Sequence, residues 1–234
     1  MRFWEDEELV EIGEREPAQA RQQFIEEVEG QLSEILDEFA GAKKELAELS
    51  EFDGDEVFIG NEELFKVRRG KRVRRMDCDL NSGDIPVYSG SKNPRRPLGY
   101  ISSEWLENAE IPIEENPIVT VNANGYVGAV FVRNEKCVIH DDVMIIEIID
   151  PFIDHAFLAY QLQGAIAEGN FEYEAKLYGR VKELAIKLPR QGDQSFDMNI
   201  QKKIAAATKR LNNARQRLTE VANWSGQSRL KGTF

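Results

Sequence analysis

The sequence predicts an α+β protein in which one mixed α/β domain lies between two long coiled-coil-forming helices. Three observations predict it: heptad-spaced apolar residues near each end, opposite net charge on those two stretches, and a series of short β-rich runs between them. The chain has 234 residues, 41% of them hydrophobic, enough for one core plus an appendage. The expected division is an acidic N-terminal segment with a long helix at about 18–50 (residues 1–57), a domain over 58–192, and a helical C-terminal segment over 193–234.

From Ala18 to Ser50 there is no proline, and the only glycines are Gly30 and Gly41. Val28, Leu32, Ile35, Phe39, Ala42, Leu46 and Leu49 recur at alternating gaps of four and three, the seam of a coiled coil. Ile200, Ile204, Ala207, Leu211, Ala214, Leu218 and Val221 repeat that alternation. Asp193 or Ser195 is the expected cap at the start of the second helix, and Gly226 is expected to follow its end. Residues 18–50 carry 3 basic and 8 acidic residues, whereas 196–224 carry 6 and 2. Flanking charges choose coiled-coil partners, so the two helices are expected to pair with each other, within one chain or between two.

The middle reads as strands. Ile85-Pro86-Val87-Tyr88 ends in the loop Ser89-Gly90-Ser91, and the runs 118–121 and 126–132 are joined by Asn122-Ala123-Asn124-Gly125, a hairpin-turn signal. Val143 to Ile149 is nearly all aliphatic and predicts a buried strand. Asp150-Pro151 then resembles a cap with proline at the first helical position, and Gly169 closes that helix. Leu184 to Leu188 predicts a last strand, with Pro189-Arg190-Gln191-Gly192 as a hinge.

Composition excludes several classes. No apolar run approaches the ~18 residues of a spanning helix. Met1 to Glu16 is acidic where a secretory signal would be basic and then apolar, so a cytoplasmic, reduced protein is expected. Cys78 and Cys137 are too few for a disulfide framework or a four-ligand zinc site. Glu174-Ala175-Lys176 has the spacing of a metal-dependent nuclease, with Asp150 or Asp154 upstream, but those aspartates fall at a helix start instead of on adjacent strands. Asn122-Ala123-Asn124-Gly125 lacks the Pro-Pro-aromatic core of a methyltransferase base-holding loop. Cys137 and His140 have no second ligand pair. No catalytic centre, metal or cofactor is therefore expected.

Charge is uneven, and that is informative. The chain carries a net −12, but residues 66–100 hold 10 basic and 3 acidic residues and residues 176–234 hold 13 and 4. Attraction between exposed charges fades over ~8–10 Å, so a basic block can hold phosphate while an acidic one faces elsewhere. Lys66, Arg68, Arg69, Lys71, Arg72, Arg74 and Arg75 lie within ten residues. Lys92, Arg95 and Arg96 follow in a loop with Ser89, Ser91 and Asn93, between Tyr88 and Tyr100. Arg and Lys suit phosphates, and Arg, Asn and Ser also read base edges.

The order of these pieces resembles the specificity (S) subunits of type I restriction–modification systems, in particular one target recognition domain followed by its helical spacer. Leu64-Phe65-Lys66-Val67-Arg68-Arg69-Gly70-Lys71 carries the likeness, as do 85–91 with Gly99-Tyr100-Ile101 and 119–128 with Asp142-Val143. Leu177 to Leu184, Ile186-Lys187-Leu188-Pro189 and Gln201 to Ile204 continue it, so that it covers roughly residues 58–224. The resemblance implies a non-catalytic subunit that binds double-stranded DNA sequence-specifically and docks methyltransferase (M) subunits, with restriction (R) subunits joining through them. Carried onto this chain, it gives DNA contact to Arg68, Arg69, Lys71, Arg72, Arg74, Tyr88, Ser91, Lys92, Asn93, Arg95, Arg96, Asn122, Asn124, Tyr126, Tyr178 and Arg180. Typical members carry two recognition domains; this chain has one, so it is similar to a half-subunit and is expected to form a homodimer through its long helices. The alternative is the DNA-recognition fragment of a fused restriction–methyltransferase enzyme.

Overall fold

The computed structural model of the chain describes residues 17–91, 93, 96–169, 177–192 and 195–227. In chain order its elements are α1 (Pro17–Ser50), β1 (Gly54–Phe58), β2 (Phe65–Arg69), α2 (Arg75–Leu80), β3 (Ile85–Tyr88) and β4 (Gly99–Ile101). Next come α3 (Ser103–Asn108), β5 (Ile118–Asn122), β6 (Val130–Arg133), β7 (Val138–Ile139), β8 (Val143–Ile148) and α4 (His155–Glu168). A short helix α5 (Leu177–Arg180), a 3-10 turn (Val181–Glu183), β9 (Ala185–Gln191), β10 (Ser195–Phe196) and α6 (Met198–Gln227) complete the chain. The fold is α+β, as expected, and divides into a helical unit, made of α1 and α6 from Ala206 onward, and a globular unit, Glu51–Ala205.

In the helical unit the two heptad seams meet. Ile35, Ala42, Ala207, Leu211 and Ala214 are buried, and the small alanines allow the backbones to approach closely. The charges flanking the seam pair across it: Arg217 Nη1 donates to Glu38 Oε2 at 2.6 Å, and Arg210 pairs with Glu45. The Arg215 guanidinium lies 5.9 Å from the centre of the Phe39 ring. Helix α6 begins later than either expected cap: Asp197 Oδ1 accepts the N–H groups of Asn199 and Ile200 at 2.8 and 3.0 Å. Ser195 instead lies in β10, Asp193 falls outside the described residues, and the helix continues through Gly226.

The globular unit holds three sheets among the described residues, ordered β1-β9-β10, β2-β8-β5-β6 and β4-β3-β7. Among the described residues only the β3–β7 pairing is parallel. Strand β5 is buried along its whole length and β8 over its first four residues, which is why both read as near-continuous apolar runs. Helix α4 packs against β5, β6 and β9 through Phe157, Leu158 and Leu162. Val73, Cys78, Ile85, Val87, Ile101, Leu106 and Val138 form a second cluster, between α2, α3 and the β4-β3-β7 sheet.

Local details depart from expectation. Asp154, not Asp150, caps α4, accepting the Phe157 N–H at 2.9 Å; Asp150 closes a turn by accepting from Phe152 N at 2.7 Å. The segment 189–191 is not a hinge but the end of β9, where Pro189 lies opposite Gly54. Strand β1 was not evident in an acidic Gly-Asp-Glu-Val-Phe sequence, yet Arg190 pairs with Asp55 across the sheet. The β5–β6 hairpin forms with Val121 opposite Val130, so the connection is a seven-residue loop, 123–129, and not a tight turn. Its backbone donors are drawn elsewhere, which shapes the site.

Candidate nucleic-acid interface

Strand β2 positions the first basic residues, and β8 beside it answers them. Lys66 lies opposite Glu147, with Nζ 3.6 Å from Oε2, and Arg68 Nε is 3.9 Å from that same oxygen. Arg68 also pairs with Glu114, which is 7% exposed and hence depends on this cation for charge compensation. Arg69 Nε donates to the carbonyl of Asp141 at 2.6 Å, and its guanidinium stacks on Tyr178, 4.3 Å from the ring centre. Arg74 caps α2 together with Asp77, whose carboxylate accepts the Arg74 backbone N–H at 2.7 Å and the guanidinium at 2.9 Å. These hydrogen bonds from Arg74 hold the Asp77 carboxyl below the usual carboxylate range. Lys71, Arg72 and Arg75 differ. All three are exposed, and among the described residues none has a carboxylate partner. Arg96 is exposed likewise, whereas Lys92 and Arg95 lie outside the described residues.

The polar loop residues are gathered by backbone contacts. Gly70 N donates to Val143 O at 3.0 Å and Lys71 N to Ile139 O at 2.9 Å, which sets the cations beside the turn His140–Asp142. The carbonyl of Asp142 accepts the N–H groups of Ala123 and Asn124 at 2.9 and 3.0 Å, and Tyr126 N donates to Gly90 O at 2.8 Å. Asn122 Nδ2 donates to Ser91 O at 3.2 Å. The loops 89–91 and 123–128 therefore abut. A Cβ on Gly90 would lie 2.2 Å from Asn124 O, and Gly125 has φ +71 with its own Cβ position 2.3 Å from Gly90 O. Only glycine fits at either position.

Within this cluster the nominated residues occupy different situations. Tyr126 is 51% exposed at the loop tip, and Asn124 is exposed, although its Nδ2 donates to Asp142 Oδ1 at 3.3 Å. Asn122 is 1% exposed, with Oδ1 unpartnered among the described residues. Ser91 is half-buried, and its Oγ accepts from the backbone of exposed Asn93 at 3.2 Å. Tyr178 donates its hydroxyl to Asp141 O at 2.9 Å, which joins it to Arg69. Burial raises the Tyr178 phenol, and the Arg69 charge opposes that rise. Arg180 is exposed and 3.8 Å from Glu183. Tyr88 lies under Arg133, whose guanidinium carbon is 3.8 Å from the ring centre. Burial, reinforced by a hydrogen bond with Glu135, pushes the Tyr88 phenol up to about 12.

Sequence reading passed over Asp141, Glu114 and Arg133, and gave no site role to His140, set aside as a metal ligand, or to Asp142, which carries only the family likeness. A string of two aspartates carries no motif, and Arg133 is hidden in a β run. Their long-range partners are 18 to 72 positions away, beyond any local pattern.

Comparison with known proteins places the chain in a family and bears on its fold. The family model for the type I restriction modification DNA specificity domain matches residues 55–222. A Mycoplasma pneumoniae protein named as a type I specificity subunit is 29% identical over 100 residues, 43% of this chain and 25% of that protein. The crystal structure of the HsdS subunit from Thermoanaerobacter tengcongensis aligns with a TM-score of 0.57 at 17% identity, over 91% of this chain and 51% of that one. A type I restriction–modification S subunit from M. genitalium aligns at 0.51 and 14%, over 88% and 57%. The chain thus spans about half the length of these solved S subunits and a quarter of the curated relative. With the matched segment covering nearly all of the globular unit and most of α6, the chain belongs to the type I restriction–modification DNA specificity domain family.

Proposed function

We propose that this chain is a sequence-specific DNA-binding specificity module that reads one half of a split site and lends that choice to a methyltransferase subunit. The observation that carries the reading is the separation of cations in the basic block. Lys66, Arg68, Arg69 and Arg74 are engaged with carboxylates, while Lys71, Arg72 and Arg75 are exposed without one among the described residues, next to a cluster of polar loops. Exposed cations hold phosphates and fix register, and adjoining loops read base edges. The chemistry of methyl transfer or cleavage then belongs to partner subunits, M directly and R through M; this chain supplies no catalytic group and needs no cofactor.

The helical unit supports a homodimer. Val28, Leu32, Leu46 and Leu49 of the α1 seam are only half-buried, and Ile25 and Leu36 are 47% and 48% exposed, so the pair buries only part of its apolar surface. A two-fold dimer would bring two copies of the domain together and read a palindromic split site. Fluorescence anisotropy with duplex DNA across a salt series tests the reading. The expected plot of log affinity against log salt is linear, with a slope of about 0.9 for each phosphate neutralised. Binding that ignores salt would overturn it.

A further inference from the structure

The turn His140–Asp141–Asp142 receives four chain segments that are remote in sequence. Arg69, at the end of β2, reaches the Asp141 carbonyl at 2.6 Å, and Tyr178 of α5 donates to that same oxygen at 2.9 Å. The loop after β5 sends Ala123 N and Asn124 N to the Asp142 carbonyl, and Asn124 Nδ2 to the Asp142 carboxylate at 3.3 Å. The strand before the fourth segment is tied too, since His140 N donates to Tyr88 O at 2.8 Å, immediately ahead of Ser89-Gly90-Ser91. The turn is itself braced: Asp142 N donates to His140 Nδ1 at 3.1 Å. His140, Asp141 and Asp142 side chains are 13%, 21% and 32% exposed, too enclosed to be the outer surface of the face.

We propose that Asp142, through this turn, is a positioning residue for DNA reading: it touches no DNA and sets where the 123–128 loop stands relative to Arg69, Tyr178 and the 89–91 loop. The inference rests on the DNA-reading function proposed above. Its physical basis is pre-organisation. Base-edge discrimination needs donors and acceptors held to a fraction of an ångström, whereas phosphate attraction tolerates displacement. Loosening the turn therefore removes selectivity first and general affinity last. Asp142 also carries a negative charge near Lys71, so a purely electrostatic role makes the opposite forecast: its removal would raise affinity for every duplex and leave preference unchanged.

Two measurements on the full chain test this. Amide hydrogen exchange without DNA is expected to show the Ala123, Asn124 and Tyr126 N–H groups protected at least 100-fold over an open loop; exchange at open-loop rates overturns the inference without any variant being made. Selection from a pool of duplexes with a randomised 30-base-pair stretch is the second. The wild-type chain is expected to enrich a motif. Asp142→Ala is expected to flatten it at least tenfold in enrichment, with affinity for a fixed unrelated duplex kept within twofold, and Asp142→Asn, which retains an acceptor for Asn124, is expected to restore it. An unaltered motif in Asp142→Ala, or a loss shared equally by Asp142→Asn, overturns the positioning role. A wild-type chain that enriches nothing overturns the DNA-reading function itself, which separates the two failures.

Discussion

At the residue scale, cations adjacent in sequence differ in what they are free to do. Arg68 and Arg72 are four positions apart, yet one neutralises buried Glu114 and the other stands in solvent. Arg68→Ala is expected to lower stability by roughly 3 kcal/mol, because it strands a buried carboxylate, and to leave the salt slope of DNA binding unchanged; urea denaturation and the anisotropy series check both. Arg72→Ala and Arg75→Ala are expected to do the reverse, each reducing the slope by about 1 with stability held within ~0.5 kcal/mol. Tyr88 offers a pH test. Its phenol is raised to about 12 in the folded chain against ~10 unfolded, so folding favours the protonated form. That contribution is complete below pH ~10 and is lost as pH rises through the folded value. Absorbance at 295 nm should show a late-ionising tyrosine that disappears in Tyr88→Phe. The basic block was legible as a block. Which cations are spoken for was not, since Glu114, Asp141 and Glu147 come from segments distant in sequence.

At the element scale, periodic features were legible and start signals were ambiguous. The two helical seams announce themselves because a coiled coil repeats one physical requirement, apolar at every third and fourth position, over many residues. The caps do not. Asp150 and Asp154 are equally good N-cap residues by type, and so are Asp193 and Asp197; the folded chain uses Asp154 and Asp197, which accept the N–H groups of Phe157 and Ile200. Strand β1 was invisible because its acidic sequence is acceptable only beside the basic residues of β9. The 123–129 loop was misread as a tight turn because Asn-Gly favours one, whereas its donors serve Asp142 and Gly90. Ile35 is fully buried in the seam, so Ile35→Ala is expected to destabilise the helical unit by about 2–4 kcal/mol in thermal or urea unfolding. Leu36 is half-exposed beside it, so Leu36→Glu should leave helicity by circular dichroism intact while abolishing self-association in sedimentation.

At the scale of the whole molecule, a net charge of −12 is compatible with duplex binding because the balance is partitioned along the chain. The acidic excess lies in α1, the segment before it and residues 101–175, and the exposed cations without a carboxylate partner among the described residues include Lys71, Arg72 and Arg75, just after β2. Fold and family were legible from the order of weak motifs, since their spacing along the chain is what a recognition domain and its spacer require. The proposed reading face was legible only as a set of loops, because the backbone contacts that gather those loops at the His140–Asp142 turn join segments remote in sequence. The central claim is that this chain chooses the address for an active site it does not contain. The most direct measurement is to express it in cells together with a type I methyltransferase subunit and to map every methylated adenine. A single split, palindromic motif that disappears when the chain is omitted is the expected result. Methylation with no sequence preference, or a motif that is the same with and without the chain, would contradict it.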